Sequence, residues 1–253
     1  MKLTEAEWSA GIEFLTATGQ KCDAQRQEFI LLSDTLGLST LVTALNNRRP
    51  EGYTEATVFG PFYVEGAPTV ELGADISNGA KGEPCFVSGT VRGDDGRTVA
   101  GAELHVWQAD EDGLYDVQYA DRDRLAARAV LRSDAAGRFH FRSIVAEPYP
   151  IPHDGPVGRM LQALNRHPWR PAHLHFMIRA EGYQGLTTHV FRRGDKYLES
   201  DAVFGVRSTL VGDWVRHEAG TAPDGTAMPH PFHTLTFDFV LARAAEPLQE
   251  KED

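Results

Sequence analysis

Residues 170 to 178 read Arg170-Pro171-Ala172-His173-Leu174-His175-Phe176-Met177-Ile178, and their alternation decides the architecture. Ala172, Leu174, Phe176 and Ile178 recur at every second position, the period of a half-buried strand. Side chains two apart on a strand share a face, with Cα atoms about 7 Å apart. His173 and His175 therefore project together, close enough for two imidazoles to converge on one metal ion, while Leu174 faces the buried side. An isolated pair of this kind is as readily a packing feature as a ligand pair. Its weight comes from the rest of the chain.

Working outward, short alternating runs bounded by turn residues predict strands. They fall at Phe86 to Val91, Leu104 to Gln108, Ala129 to Arg132, Arg138 to Arg142, Thr187 to Phe191 and Leu235 to Leu241. Gly93-Asp94-Asp95-Gly96 and Ser133 to Gly137 read as turns, and Val157, Leu161 and Leu164 as one short helix. Thr57 to Val64 is an extended, aromatic-rich linker interrupted by Gly60-Pro61. The fold expected is mainly β, a β-sandwich catalytic domain over residues 51–253.

Residues 1–50 form a helical arm instead. Thr4 and Glu7 make a capping box, with Trp8, Ile12 and Leu15 following at helical spacing. A second run carries Phe29, Leu32 and Leu36 up to Gly37, and a third places Leu38, Leu41, Val42 and Leu45 on one face. Short helices cannot bury such stripes by themselves, so they imply packing on the body or on a second copy, as a homodimer. The tail from Glu246 to Asp253 reads as frayed and solvated.

Composition narrows the function classes. A formal net charge of -11 without a basic stripe argues against nucleic acid as a partner. No apolar run reaches the roughly 18 residues of a membrane span, and the N-terminus lacks a signal-peptide run. Two widely spaced cysteines, Cys22 and Cys85, suit a reducing cytoplasm better than a disulfide framework.

Two tyrosines sit where they suit a metal. Tyr115 follows a strand end, and Tyr149 lies in the proline-flanked loop Glu147-Pro148-Tyr149-Pro150-Ile151-Pro152. Prolines on both sides lower the ordering entropy of aiming a phenol. Together with His173 and His175 they are expected to meet at one end of the sandwich. Phenolate has a solution pKa near about 10, so only a strongly Lewis-acidic ion holds it deprotonated at neutral pH, and ferric iron fits best. A zinc site would need a third His, Asp, Glu or Cys ligand. His189, Asp154 and Glu181 are the candidates, none at a compelling spacing. A cupin site fails because Glu181 follows the pair by too many residues.

These residues resemble a known family. Gly60-Pro61-Phe62-Tyr63, Val106-Trp107-Gln108-Ala109-Asp110 with Gly113-Leu114-Tyr115, Asp154-Gly155-Pro156-Val157-Gly158, Asn165-Arg166-His167-Pro168 and Arg170 to His175 match, in order, the intradiol ring-cleaving dioxygenases of the catechol 1,2-dioxygenase type. The likeness covers roughly residues 30 to 240. It implies a cofactor, Fe(III), held by Tyr115, Tyr149, His173 and His175, and it makes Arg170 an active-site cation. It also implies that an aromatic diol chelates the iron and reacts with O2, displacing Tyr149, which then accepts a substrate proton, while Tyr115 stays. His189 in Leu186 to Phe191 and the segment Asp201-Ala202-Val203-Phe204-Gly205-Val206 resemble the hydroxyquinol branch. On that reading hydroxyquinol opens to 3-hydroxy-cis,cis-muconate, the enol of maleylacetate. Catechol or chlorocatechol is the alternative substrate. Leu31, Asp34, Phe59, Gly60, Pro61 and Phe62, with Arg170 and His189, are expected to line the substrate pocket. The family's helical region supports dimerisation and a bound lipid; here it is shorter than usual. A binding module without catalysis, the contrasting reading, would need neither the Tyr/Tyr/His/His set nor a helical arm.

Overall fold

The computed structural model describes residues 2–24, 26–48, 51–120 and 125–244. The tail from Glu246 onward lies outside them. Three helices open the chain: α1 (Glu5–Gln20), α2 (Glu28–Thr35) and α3 (Leu38–Asn46). The capping box at α1 is present, with Thr4 Oγ1 accepting from Glu7 N at 3.3 Å and the Glu7 carboxylate accepting from Thr4 N at 2.8 Å. The chain turns 76° between α2 and α3 at Gly37, whose φ of +78° only glycine adopts without strain. No single helix among the described residues is long and apolar enough to cross a membrane.

The body is built from strands. In chain order they are β1 (Pro84–Gly93), β2 (Glu103–Gln108), β3 (Arg128–Arg132), β4 (Arg138–Ile144) and β5 (Tyr149–Pro150). After α4 (Pro156–Ala163) come β6 (Trp169–Arg170), β7 (His173–Arg179), β8 (Leu186–Arg192), β9 (Val211–Gly212) and β10 (Trp214–His217). β11 (Gly220–Thr221), β12 (Ala227–Met228), β13 (Phe232–Thr236) and β14 (Phe239–Leu241) end the set. One five-stranded sheet centres on β1, with β4 antiparallel on one side and β13, β14 and β10 on the other. The second runs β3-β2-β7-β8-β9.

The two sheets share one apolar core. Phe176 of β7 meets Phe239 of β14 at 4.7 Å between ring centres and Phe139 of β4 at 6.0 Å. Leu174, Phe176 and Ile178 all enter this core, whereas Met177 joins a second cluster with Trp107, Tyr115 and Tyr149 on the opposite face of the sheet. The alternation of β7 thus separates a packing face from a chemical face.

The stretch from Leu235 to Leu241 is not the single strand its composition predicts. It breaks at Phe237-Asp238 between β13 and β14. Asp238 Oδ1 there takes Thr90 N at 2.7 Å, and the Phe237 carbonyl sits 1.8 Å from where a Cβ on Gly89 would be, so only glycine fits. The apolar stripes of the arm remain uncovered in the single chain: Trp8, Ile12, Leu15, Leu38, Leu41 and Leu45 are 45–59% exposed.

Candidate metal centre and active site

β7 lies between β2 and β8, and the register places Trp107 and His189 directly opposite His175. Directly opposed residues share a face, so all three rings crowd the outer side of the sheet. Trp107 stacks on His175 at 4.6 Å and 16°, and His189 lies 4.2 Å from His175 and 4.6 Å from His173. Nitrogens of His173, His175 and His189 fall within 4.8 Å of one another. Sequence spacing gives His189 no compelling place beside the pair; strand pairing brings it there. Asp154 and Glu181 stay away: Asp154 is ion-paired to Lys21 and Arg26, and Glu181 occupies an exposed turn.

Each tyrosine is aimed by its backbone. A turn stapled by Asp110 Oδ1 to the amides of Asp112 and Leu114 carries the chain from β2 to Tyr115. Tyr115 N then donates to Gln118 Oε1 at 2.9 Å. Beneath it the buried Arg128–Asp116 pair reaches up, Arg128 Nη1 donating to the Phe62 carbonyl at 2.9 Å. Tyr149 does not lie in an irregular loop as its prolines suggest. It pairs in β5 with β6, directly opposite Arg170. Both tyrosines pack in the cluster with Trp107 and Met177, on the outer face of the β7 sheet.

The donor atoms converge. Tyr115 Oη lies 2.9 Å from His175 Nε2, which lies 3.1 Å from His173 Nε2. Arg170 Nη1 is 3.4 Å from both His173 Nε2 and Tyr149 Oη. The Tyr115 and Tyr149 rings meet edge to face at 5.3 Å. Two donors each about 2.0–2.1 Å from one ion, at right angles, stand about 3 Å apart. His173 Nδ1 faces the Pro171 carbonyl at 2.7 Å, an acceptor that places the proton on Nδ1 and leaves the Nε2 lone pair pointing inward. Tyr115, Tyr149, His173 and His175 are each at most 4% exposed. These residues fit a metal ion.

Electrostatics agree. Burial, and then Arg170, pushes His173 down to about 3, and burial takes His175 and His189 well below the ordinary histidine value. All three are neutral imidazoles at pH 7. Burial also raises the Tyr115 phenol well above 10, the neighbouring Tyr149 adding to it. Without a strong Lewis acid that phenol stays protonated. Burial works against the charge on Arg170, but Asp201 and the two tyrosines outweigh it and keep the guanidinium ionised.

The expected pocket residues lie around this centre to different degrees. Phe62 stacks on Tyr115 at 4.3 Å and Leu31 packs against the same cluster. A Cβ on Gly60, at φ +79°, would stand 3.3 Å from His175 Cε1, so the 59–62 loop passes close over the His175 ring. Phe59 is 5.9 Å from Trp107 and partly open to solvent, and Pro61 is exposed. Asp34 is half-buried and feels the charges of Arg170 and Asp201. Asp201, Trp107 and the Arg128–Asp116 pair border these residues; Trp107 and Asp201 stand within the quoted motifs, whereas no local sequence signal marks the Arg128–Asp116 pair.

The sequence profile described as Dioxygenase spans residues 58–243, and that described as Catechol dioxygenase N terminus spans residues 1–54. The chain belongs to the intradiol ring-cleaving dioxygenases. It is 64% identical over 241 residues to 6-chlorohydroxyquinol 1,2-dioxygenase of Cupriavidus pinatubonensis, covering 95% of this chain and 83% of that protein. It is 54% identical over 245 residues to hydroxyquinol 1,2-dioxygenase of Nocardioides simplex, covering 96% and 83%. Among solved structures, hydroxyquinol 1,2-dioxygenase from Pseudomonas putida superposes with a TM-score of 0.91 at 50% identity, covering 96% of this chain and 85% of that one.

Proposed function

We propose that this dioxygenase uses Fe(III) held by Tyr115, Tyr149, His173 and His175 to cleave hydroxyquinol with O2, giving 3-hydroxy-cis,cis-muconate or its keto form, maleylacetate. The observation that carries the reading is the convergence of two phenols and two neutral imidazoles on one buried point beneath a charged arginine. The names of the relatives favour a trihydroxybenzene over catechol. The scaffold is read as a β-sandwich, residues 51–253, with the helical arm over residues 1–50 reaching across the site. An acidic chain with two free cysteines suits the cytoplasm.

Bound ferric iron supplies Lewis acidity, which favours phenolate and draws electron density from a chelated diol. The protein's own residues do the rest. Tyr149 Oη would serve as the base that holds a substrate proton, and Arg170 Nη1, 3.4 Å away, would be its hydrogen-bond donor. Tyr115, whose Oη lies against His175 Nε2 rather than against Arg170, would be the phenolate that is kept. Arg170 then faces the bound ring, where developing negative charge meets a desolvated cation. Phe62 and Leu31 close over the ring, His189 supports the two ligand imidazoles, and Asp34 receives the third hydroxyl of the substrate. Exposed apolar faces on α1 and α3 support a homodimer through the arm.

A second reading has one observation in its favour. His173, His175 and His189 form a three-histidine set of the kind zinc takes. Metal analysis combined with oxygen uptake decides between them. The expected result is about one iron per chain, a wine-red protein and one O2 consumed per hydroxyquinol opened. A colourless, zinc-loaded, active protein would overturn the iron assignment.

A further inference from the structure

Arg170 does not hold itself. Its side chain is 3% exposed and that of Asp201 2%, and they meet fork to fork: Nε to Oδ1 at 3.1 Å and Nη2 to Oδ2 at 3.3 Å. This leaves Nη1 as the one nitrogen aimed at Tyr149 and His173. Asp201 is fixed in turn by its own loop, Oδ1 taking Val203 N at 3.3 Å and Oδ2 taking Gly205 N at 2.9 Å. A Cβ on Gly205 would stand 2.8 Å from Arg170 Nη2 and 3.0 Å from Asp201 Oδ2. Between them Phe204 adopts φ +56°, a strained backbone for a bulky residue; its half-exposed ring lies alongside Gly37, where a Cβ would come within 3.2 Å of it, and 4.5 Å from the Arg166 guanidinium. Arg166 also donates to the Thr35 carbonyl at 2.6 Å and the Ala202 carbonyl at 2.9 Å, tying this loop to the end of α2.

A buried ion pair is a weak device for stability, since well-packed apolar residues usually serve as well or better. Strain is retained where surrounding contacts over-determine it, and such places cluster at functional sites. We propose that Asp201 is a positioning residue for the known chemistry. Its carboxylate, held by the 203–205 loop, orients the Arg170 guanidinium so that Nη1 points between Tyr149 Oη and His173 Nε2. The inference rests on the reading of Arg170 given above.

Asp201→Asn tests it. Whichever way the amide is turned, its NH2 confronts two donors of the cradle, so the guanidinium shifts. A misplacement of about 1 Å costs on the order of 100-fold in rate. We expect kcat for hydroxyquinol to fall on that order, with KM changed less than about threefold. In metal-free protein the buried Arg170 Nε–H, read by 15N NMR, should exchange with water at least about tenfold faster than in the parent. Asp201→Asn in an Arg170→Ala background should have no further effect on kcat beyond about twofold, because the residue acts through Arg170. Gly205→Ala, which keeps both charges, should reproduce the kcat loss if Asp201→Asn does not fold. Equal kcat losses from Asp201→Asn in both backgrounds, or parental kcat in Asp201→Asn and Gly205→Ala alike, would overturn the inference alone. An Arg170→Ala enzyme as fast as the parent would overturn the reading of Arg170 as well.

Discussion

Asp34 ties specificity to stability in a way a single substitution can separate. Burial raises its carboxyl above the ordinary aspartate value; a hydrogen bond from Ser39 and the charge of Arg170 oppose the rise, and Asp201 adds to it. A carboxylate whose pKa is raised by folding destabilises the fold at pH values above that raised pKa and has no such effect below the unfolded value. Asp34→Asn should therefore raise the Tm of metal-free protein at pH 7, with the gain shrinking as pH falls toward about 4. On the proposed reading, the same change removes a charged acceptor from the third hydroxyl of the substrate. A hydrogen bond to a charged group contributes about 1.5–3 kcal/mol, equivalent to about 10- to 150-fold in kcat/KM. Oxygen uptake with hydroxyquinol and catechol, alongside thermal melts at two pH values, measures both effects. Hydroxyquinol efficiency should drop by that factor while catechol changes less than about threefold. Equal losses on both diols, or a Tm that falls at pH 7, would refute the placement of Asp34 in the pocket.

Other expectations concern the metal and the assembly. Tyr115→Phe and Tyr149→Phe should each remove part of the visible phenolate band and depress turnover by about 100-fold or more, read by absorption and oxygen uptake; unchanged colour in either would remove that residue from the ligand set. Chelation of the metal should bleach the protein and abolish ring opening, both restored by ferrous iron and air but not by zinc. Gly60→Ala combines a left-handed backbone with a Cβ 3.3 Å from His175, so Tm should fall by several degrees and the visible band should shift; a parental melt and spectrum would mean the 59–62 loop is not held against the ligand. Sedimentation at micromolar concentration should give a dimer that Leu41→Glu with Leu45→Glu converts to monomer, whereas a monomeric parent would contradict a role for the arm in assembly.

Sequence determined a good deal of this protein by itself, because some physics is local. The capping box at Thr4, the positions of α1 to α4, and the strand that carries His173 and His175 follow from periodicity and turn chemistry, which depend on neighbours a few residues away. The side of β7 that bears the histidines follows too, since a strand alternates whatever it pairs with. The ordered motifs carried the family. Tertiary structure alone decided the rest. His189 reaches His173 and His175 because β8 pairs with β7 in one register, and a shift of one residue would turn its ring into the core. Tyr149 is aimed by pairing with Arg170 across the segment that contains α4, so the prolines around it conceal a strand. Asp201 stands 31 residues from Arg170, and although it heads a segment that resembles the family, nothing in the sequence pairs it with that arginine. It becomes the partner of the active-site cation because burial makes an unpaired guanidinium costly, a non-local requirement that only the assembled fold imposes.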